Sequence, residues 1–207
     1  MSLVYVLVLA SGVFWTITYI LVIRQAFRDR IYAMPLLAMS MNLAWEFLFT
    51  FVYPSIGGQI QEGFNLLWFA LDLGILYTYI RFWRADYPKH LSPKLMVPLL
   101  ILTFAACTPI FIAIVKHFGQ DAGSVYTAYG DNLIMSVLFM TMLIRRGDRR
   151  GQSLWIAWGK LLGTAAASLS QYLDQTNALW NVLFIEIFAF DLLYVVMLAR
   201  SPRYIAE

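Results

Sequence analysis

Five acidic residues lie inside long apolar stretches of this 207-residue chain, which has twelve acidic residues in all. An isolated carboxylate is costly to bury, so each must be solvated, paired with a cation or protonated. Glu46 stands out because residues 36–53 contain no other charge. A carboxylic acid that keeps its proton in an apolar cavity is a strong general acid, so the chemistry favoured here is proton donation. The five are Glu46, Asp72, Asp131, Glu186 and Asp191.

Lys160 is the one basic residue that falls well inside the same apolar stretches. Its simplest interpretation is a structural salt bridge with Asp72 or Asp191. One amine cannot neutralise five acids, so some of the acids are expected to hold protons at neutral pH. Because these six residues fall on five different segments, we expect one polar cavity that opens outward, and such a cluster is a functional-site hypothesis by default.

Polar residues close in sequence suggest a role for Asp131 and one for Glu46. Ser124 and Thr127 precede Asp131 by seven and four residues, so all three side chains are expected on one helix face and would form an interhelical hydrogen-bond network. Asn42 precedes Glu46 by one helical turn and is expected to orient it. The first arrangement is structural, whereas the second is a feature of a reactive acid.

Aromatic residues make up 16% of the chain, and several tryptophans and tyrosines come close to the acids in sequence. Trp45 is adjacent to Glu46, and Tyr194 follows Asp191 by one helical turn. An interfacial belt and core packing would account for many such rings. Rings at mid-membrane positions also stabilise cations with their π faces. A proton donor and rings that hold a carbocation are what the cyclisation of a polyene needs. The rings are Trp45, Trp68, Tyr77, Tyr79, Tyr126, Tyr129, Trp158 and Tyr194.

Seven apolar segments must position these side chains. The chain is 61% hydrophobic and has a mean hydropathy of +0.69, and each segment is long enough to cross a bilayer core of roughly 30 Å as a helix. The sequence therefore predicts an all-α integral membrane bundle of seven transmembrane helices, as a single domain over residues 1–207. We expect the first segment to be a true span, because it is too long for a cleaved signal peptide. The predicted spans are 3–23, 33–53, 64–83, 95–115, 123–144, 153–172 and 179–199.

Basic residues predict the orientation of the bundle. Thirteen of the fifteen lysines and arginines lie in the first, third and fifth connections and the C-terminal tail, which all face the same side. The positive-inside rule places the N-terminus outside, or in the lumen, and the C-terminus in the cytoplasm. The net charge of +3 comes from these loops, so we expect contact with anionic lipid head groups and no binding of nucleic acid.

A faint internal repeat accompanies this pattern. Residues 69–73 (FALDL) match residues 188–192 (FAFDL) at four of five positions, and an arginine follows each aspartate by nine residues. The two segments run in the same direction, as a parallel three-plus-one-plus-three duplication requires.

Two short motifs resemble a known family. Asn42-x-x-Trp45-Glu46 on the second segment and Asp191-x-x-Tyr194 on the last resemble the small seven-helix terpene cyclases of fungal meroterpenoid and indole-diterpene pathways, which have bacterial relatives. The resemblance implies a class II cyclase that protonates a terminal alkene or epoxide of a lipophilic prenylated substrate, without a metal or another cofactor. The absence of an Asp-Asp-x-x-Asp/Glu motif agrees with a metal-free reaction.

The resemblance also implies the roles of individual residues. Glu46 is expected to be the acid and Asp191 its partner, with Glu186 as a competing partner that lies about 140° around the helix from Asp191. The residues expected to contact the substrate are Asn42, Trp45, Asp72, Tyr77, Tyr126, Tyr129, Asp131, Trp158 and Tyr194.

A transporter is the alternative function. Carboxylates at mid-membrane depth in a three-plus-one-plus-three bundle are also typical of small sugar carriers and proton-coupled exporters. The chain has no Pro-Gln loop signature of such carriers and few helix-breaking Gly/Pro pairs at matching places in the two halves. The absence of a lysine for a Schiff base from residues 179–199 argues against a retinal protein.

Overall fold

The seven predicted helices are confirmed. A computed structural model describes residues 2–54 and 58–202, and in these residues α2 continues directly into a π-helical segment, Leu48–Val52. Five of the helices are long and apolar enough to cross a membrane by length and composition, whereas α2 is shorter and α6 is not among the five. The helices are α1 (Leu3–Asp29), α2 (Leu36–Phe47), α3 (Gly58–Phe82), α4 (Met96–Phe118), α5 (Gln120–Arg146), α6 (Leu154–Asp174) and α7 (Ala178–Arg200).

Side-chain caps set several of the helix starts. The hydroxyl of Ser153 accepts a hydrogen bond from the backbone N–H of Ile156 at the start of α6, and the amide oxygen of Asn177 accepts one from Trp180 at the start of α7. Each cap satisfies a backbone donor that the helix itself leaves free. Gly147 ends α5 in the left-handed conformation, with φ of 71°, which glycine adopts without a steric penalty.

The packing of the helices leaves a space at the centre of the bundle. Helix α1 packs against α3 and α6, α5 packs against α7 and α2, and α2 also contacts α3 and α4. Glycines on α6 allow α1 to approach closely, since a Cβ added at Gly163 would lie only 2.8 Å from the Trp15 ring. Trp15 is therefore held directly against the backbone of α6.

A charged cluster ties the helices together at the end where α1, α3, α5 and α7 finish, which we call the arginine-rich end. Asp86 accepts hydrogen bonds from Arg145 and from the Nε of Arg146, which is 2.9 Å away. Tyr32, in the α1–α2 connection, donates its hydroxyl to the same carboxylate at 2.9 Å. The cluster joins α5, the segment after α3 and the start of α2, and so fixes three of the helices that carry the site.

Candidate active site

A cavity of about 160 Å³, which we call the chamber, lies between α1, α2, α3, α5 and α6. Its lining runs from Tyr19 and Met135, deep in the bundle, to Ser11 and Gln61, nearer the end opposite the arginine-rich one. Polar and aromatic side chains make up most of the wall. Those used below are Trp15, Asn42, Trp45, Glu46, Asp131 and Asn132.

Two of the five predicted acids line the chamber, and a third lies directly behind its wall. Glu46 on α2 and Asp131 on α5 line it and are only 3% and 4% exposed. Asp72 on α3 is fully buried and accepts a hydrogen bond of 2.8 Å from the amide nitrogen of Asn42. Asn42 donates its other hydrogen to the hydroxyl of Tyr19 at 2.6 Å. Both amide hydrogens of Asn42 thus go to Asp72 and Tyr19, which leaves its amide oxygen as the atom available to accept the proton of Glu46, and the orientation of Glu46 by Asn42 stays a prediction.

Each of these three carboxyl groups has one buried oxygen without a hydrogen-bond partner among the described residues: Oε2 of Glu46, Oδ1 of Asp72 and Oδ1 of Asp131. Leaving a buried polar atom unpaired typically costs roughly 1–3 kcal/mol, and in a folded protein it calls for an explanation. Glu46 also lies within electrostatic range of Asp72 and Asp131. Three neighbouring carboxyls cannot all ionise without strong mutual repulsion, so the cluster is suited to holding protons.

The expected network around Asp131 is not formed. The hydroxyl of Thr127 donates to the backbone carbonyl of Gly123 at 2.7 Å, and that of Ser124 donates to the carbonyl of Asp121 at 2.6 Å. Both hydroxyls therefore donate to their own helix, as serine and threonine commonly do inside membranes, and Thr127 also accepts a hydrogen bond from Trp45 of α2, so neither hydroxyl bonds to Asp131. This leaves Asp131 free to face the chamber.

Lys160 pairs with Asp191, which is one of the two partners that the sequence allowed. Its ammonium group lies 2.7 Å from Oδ1 of Asp191, 2.6 Å from Oδ1 of Asn132 and 2.7 Å from the hydroxyl of Ser136. An ammonium group has three hydrogens, so these three partners use all of its donors. The charge of Lys160 is thus committed to Asp191, and no hydrogen bond links it to Glu46, Asp72 or Asp131.

The two α7 acids lie outside the chamber wall. Asp191 faces Lys160, which connects it to two residues of the chamber wall: Lys160 donates to Asn132 and lies 5.9 Å from the centroid of the Trp15 ring. Asn132 also donates to the hydroxyl of Thr164 at 2.9 Å. Glu186 is exposed on the surface of α7. The structure therefore brings Glu46 together with Asp131, and not with Asp191 or Glu186 as the resemblance implied.

Five rings line the chamber. Trp15 and Tyr19 of α1 make an edge contact with centroids 5.8 Å apart, and Tyr19 makes another with Trp68 at 6.3 Å. The indole N–H of Trp45 donates to the hydroxyl of Thr127 at 3.0 Å, which holds this ring beside Glu46. Tyr129 completes the set. Trp45, Trp68 and Tyr129 lie where the sequence placed them, near the acids.

Other predicted rings lie elsewhere. Tyr77 is 57% exposed and Trp158 is 43% exposed, so both face outward. Tyr126 packs against Trp180, and the hydroxyl of Tyr194 donates to Gln152 at 2.8 Å. Proximity in sequence was a poor guide, because a residue five positions from an acid on a helix points about 140° away from it. Tyr79 packs on the ring of Tyr32 near the arginine-rich end.

Trp15 and Tyr19 were missed because α1 carries no membrane-embedded acid to draw attention to it. A signal was present in the spacing, since Ser11, Trp15 and Tyr19 recur every four residues and therefore share one helix face. Asn132 was not among the predicted site residues, because the carboxyl group of the adjacent Asp131 was the more obvious candidate. Among the described residues, no group of three or more His, Cys, Asp or Glu side chains is placed to hold a metal ion.

Comparison with known proteins identifies the family. Pyr4-family terpene cyclase mfmH of Annulohypoxylon moriforme is 36% identical over 167 residues, which cover 79% of this chain and 67% of that protein. Terpene cyclase spyD of Aspergillus fumigatus is 32% identical over 179 residues, or 81% of this chain and 71% of the relative. Terpene cyclase macJ of Penicillium terrestre is 30% identical over 164 residues, or 76% and 62%. The chain thus spans about two thirds of the length of these relatives, and no solved structure matches it.

These relatives give no support to a transporter. The model of one family, described as Pyr4-like transmembrane terpene cyclases, matches residues 1–203. With almost the whole sequence inside that match, the chain belongs to the Pyr4-like transmembrane terpene cyclases.

Proposed function

We propose that this protein is a class II terpene cyclase in which Glu46 protonates the terminal alkene or epoxide of a prenylated substrate. One observation carries the proposal: Glu46 and Asp131 line a single buried chamber walled by aromatic rings, and each keeps a carboxyl oxygen without a partner in the described protein. An acid in such a site is poised to give its proton to a substrate, because nothing else competes for it.

The proposed reaction begins with proton transfer from Glu46 and proceeds through carbocations. The O–H bond of Glu46 breaks as the proton bonds to the CH carbon of the terminal alkene, which leaves a tertiary cation at the dimethyl carbon, or to the oxygen of an epoxide whose C–O bond then opens at that carbon. The electron pair of the next double bond attacks the resulting carbocation and forms a ring. The final cation loses a proton to a carboxylate of the cluster, or is captured by a nucleophile of the substrate. Trp15, Tyr19 and Trp45 stabilise the intermediate cations through their π faces.

Asp72 and Asp131 serve to keep the proton on Glu46. Both lie within electrostatic range of it, and ionising Glu46 beside another carboxylate is unfavourable. Asn42 holds Asp72 in place by a hydrogen bond, so its contribution to the reaction is through positioning. Asp131, on α5, lines the same chamber as Glu46 and is our candidate to return a proton to it between turnovers.

Asp191 acts through Lys160 in this proposal. The pair holds the side chain of Asn132 in the chamber wall, where its amide contacts both Lys160 and Thr164. Asp191 is thus a positioning residue and not the direct partner of Glu46. Glu186 is given no role, because its side chain lies on the exposed surface of α7.

The substrate is proposed to be a lipophilic aromatic or indole compound that carries a prenyl chain. The family resemblance and the apolar surroundings of the chamber support this class. The test is to incubate purified protein in lipid nanodiscs with prenylated aromatics and indoles, each as the alkene and as the terminal epoxide, and to analyse products by mass spectrometry and NMR. We expect a cyclic isomer of unchanged mass from at least one compound, and unchanged mixtures throughout would contradict the proposal.

Metal chelation supplies a prediction about the reaction class. A cyclisation that begins with proton transfer does not require Mg²⁺ to ionise a diphosphate, so turnover should be unchanged in excess EDTA. The measurement is the initial rate with and without EDTA, with addition of Mg²⁺ as the control. Loss of turnover that Mg²⁺ restores would rule out an acid-initiated mechanism.

A second prediction concerns Trp45. Trp45→Leu removes a ring that we place beside the cation, and a desolvated cation–π contact is worth roughly 2 kcal/mol, so turnover should fall about 30-fold. Trp45→Phe retains a π face and should retain most of the activity. The control is Trp155→Leu on α6, where the ring is 77% exposed. Equal turnover rates for Trp45→Leu and Trp155→Leu would contradict a role for Trp45 in stabilising the cation.

Orientation and duplication complete the proposal. The concentration of arginines at one end of the bundle supports a cytoplasmic C-terminus and an outer or lumenal N-terminus.

The packing of the helices supports a three-plus-one-plus-three duplication, because α1–α3, α2–α3 and α1–α6 contacts have counterparts in α5–α7, α6–α7 and α5–α2 contacts.

A further inference from the structure

A second cavity lies between α6 and α7, on the outer surface of the bundle. It measures about 430 Å³, and we call it the lateral groove. Large apolar side chains on its walls are exposed, and Ile185 is 70% exposed, as expected of a surface that faces lipid. Its lining includes Thr164, Ala165, Ile185, Phe188 and Asp191.

The chamber alone is too small for a whole prenylated substrate. Sites for ligands of this size usually measure roughly 300–1,000 Å³, whereas the chamber measures about 160 Å³. The reactive end of a prenyl chain fits beside Glu46, but the remainder of the chain needs further space. The lateral groove, at about 430 Å³, is large enough to supply it.

The two cavities meet at α6. Thr164 lines both cavities. Nearby on the same helix, Ala165 lines the lateral groove and Ala167 lines the chamber. Small side chains at these positions keep the wall between the cavities thin. Asp191, at the groove, has both carboxylate oxygens within 3.0 Å of the Lys160 ammonium, so its charge is neutralised where an apolar chain would pass.

We propose that the lateral groove binds the apolar chain of the substrate while the chain's reactive end occupies the chamber, and that the substrate reaches the chamber from the bilayer by this side. The inference rests on the proposed cyclase function, which it extends by assigning a binding site for the prenyl chain. Because Thr164 lines both cavities, the lateral groove adjoins the chamber, and this favours the substrate over a bulk lipid as the specific occupant.

Three consecutive alanines on α6 allow a matched test. Ala165→Leu fills the lateral groove, Ala167→Leu fills the chamber, and Ala166→Leu adds the same atoms at a position that lines neither cavity. The full chain, in phosphatidylcholine nanodiscs, is labelled with a farnesylated aromatic that carries a diazirine in the middle of its chain. Labelled residues are mapped by mass spectrometry, with an excess of the unmodified farnesylated aromatic as competitor.

We expect competable labelling on the groove-facing residues of α6 and α7. Ala165→Leu should weaken it roughly tenfold, because a mismatch of about one methylene or more in an apolar site has at least this effect, while Ala166→Leu should label like the wild type. Turnover should show the same split, with KM for a farnesyl substrate raised by Ala165→Leu and KM for a geranyl substrate raised less. If Ala165→Leu lowers the melting temperature, Phe188→Ala, which widens the groove at a 48% exposed position, replaces it and should shift preference towards longer chains.

The possible failures can be told apart. Equal labelling of Ala165→Leu and Ala166→Leu would overturn the proposal that the lateral groove binds the prenyl chain. Labelling that the competitor leaves unchanged would also overturn it, because such labelling indicates a groove filled by lipid. Labelling confined to another face would overturn it as well, even if Glu46 proves to be the acid. Competable groove labelling in a protein that cyclises nothing would retain the binding site and reject the cyclase mechanism.

Discussion

Glu46→Gln is expected to lower single-turnover cyclisation by at least about 10²–10⁴-fold, the contribution of a positioned acid. The amide keeps the shape of the carboxyl group but cannot donate a proton to carbon. Glu46 is already 3% exposed without a cation bonded to it, so the neutral amide should leave the melting temperature in detergent close to that of the wild type. Substrate binding should persist, because the apolar walls are unchanged.

The control for this substitution is Glu62→Gln, which makes the same chemical change on α3 outside the chamber lining and should retain normal turnover. Asp131→Asn should be milder than Glu46→Gln, because an amide at that position still offers hydrogen bonds to the chamber. A stable Glu46→Gln protein that cyclises at the wild-type rate would end the mechanism. Loss of turnover in Glu186→Gln instead would move the acid to α7.

Lys160→Met is expected to destabilise the protein by roughly 3–5 kcal/mol, the usual consequence of removing one partner from a buried ion pair. Both residues are only 1% exposed, so Asp191 would be left with an uncompensated charge or forced to take up a proton. Lys116→Met, at the exposed end of α4, is the matched control and should change little. The measurement is thermal unfolding in detergent.

A double variant separates stability from chemistry. Replacing both partners, as in Lys160→Met/Asp191→Leu, removes both charges, and we expect most of the lost stability to return. Turnover should stay low, because Asn132 no longer has the Lys160 contact that holds it in the chamber wall. A fully active and stable double variant would show that the pair has no part in positioning the site, and a heat-stable Lys160→Met protein would contradict the energetic role.

Helix number was predictable, because an apolar run of about 20 residues is typical of a helix long enough to cross a bilayer. The rotation of each helix was not. Glu46 meets Asp131 and not Asp191 because of how α2, α5 and α7 turn towards one another, and that depends on packing between distant segments.

Helix rotation also explains why several aromatic rings lie elsewhere than predicted. Tyr77 follows Asp72 closely in sequence but points outward, whereas Trp15 and Tyr19 reach the chamber from a helix with no acid inside its predicted span of 3–23. The i, i+4 spacing of the latter two indicates a shared face, but it does not say which neighbour that face meets. The close approach of α1 to Gly163 of α6 places Trp15 in the chamber wall, and contacts with Trp68 and Asn42 hold Tyr19 there.

The ion pair between α6 and α7 also bears on how the protein enters the membrane. A lysine at the centre of an inserting helix opposes partition from the translocon into lipid by roughly 2.5–3.5 kcal/mol, and α6 is not among the five helices that are apolar enough to cross by composition. Helix α7 is among those five and carries the carboxylate that neutralises Lys160. Biogenesis should therefore proceed with α6 and α7 leaving the translocon together as a hairpin, and ribosome-bound chains truncated before Asp191 should leave α6 accessible to water.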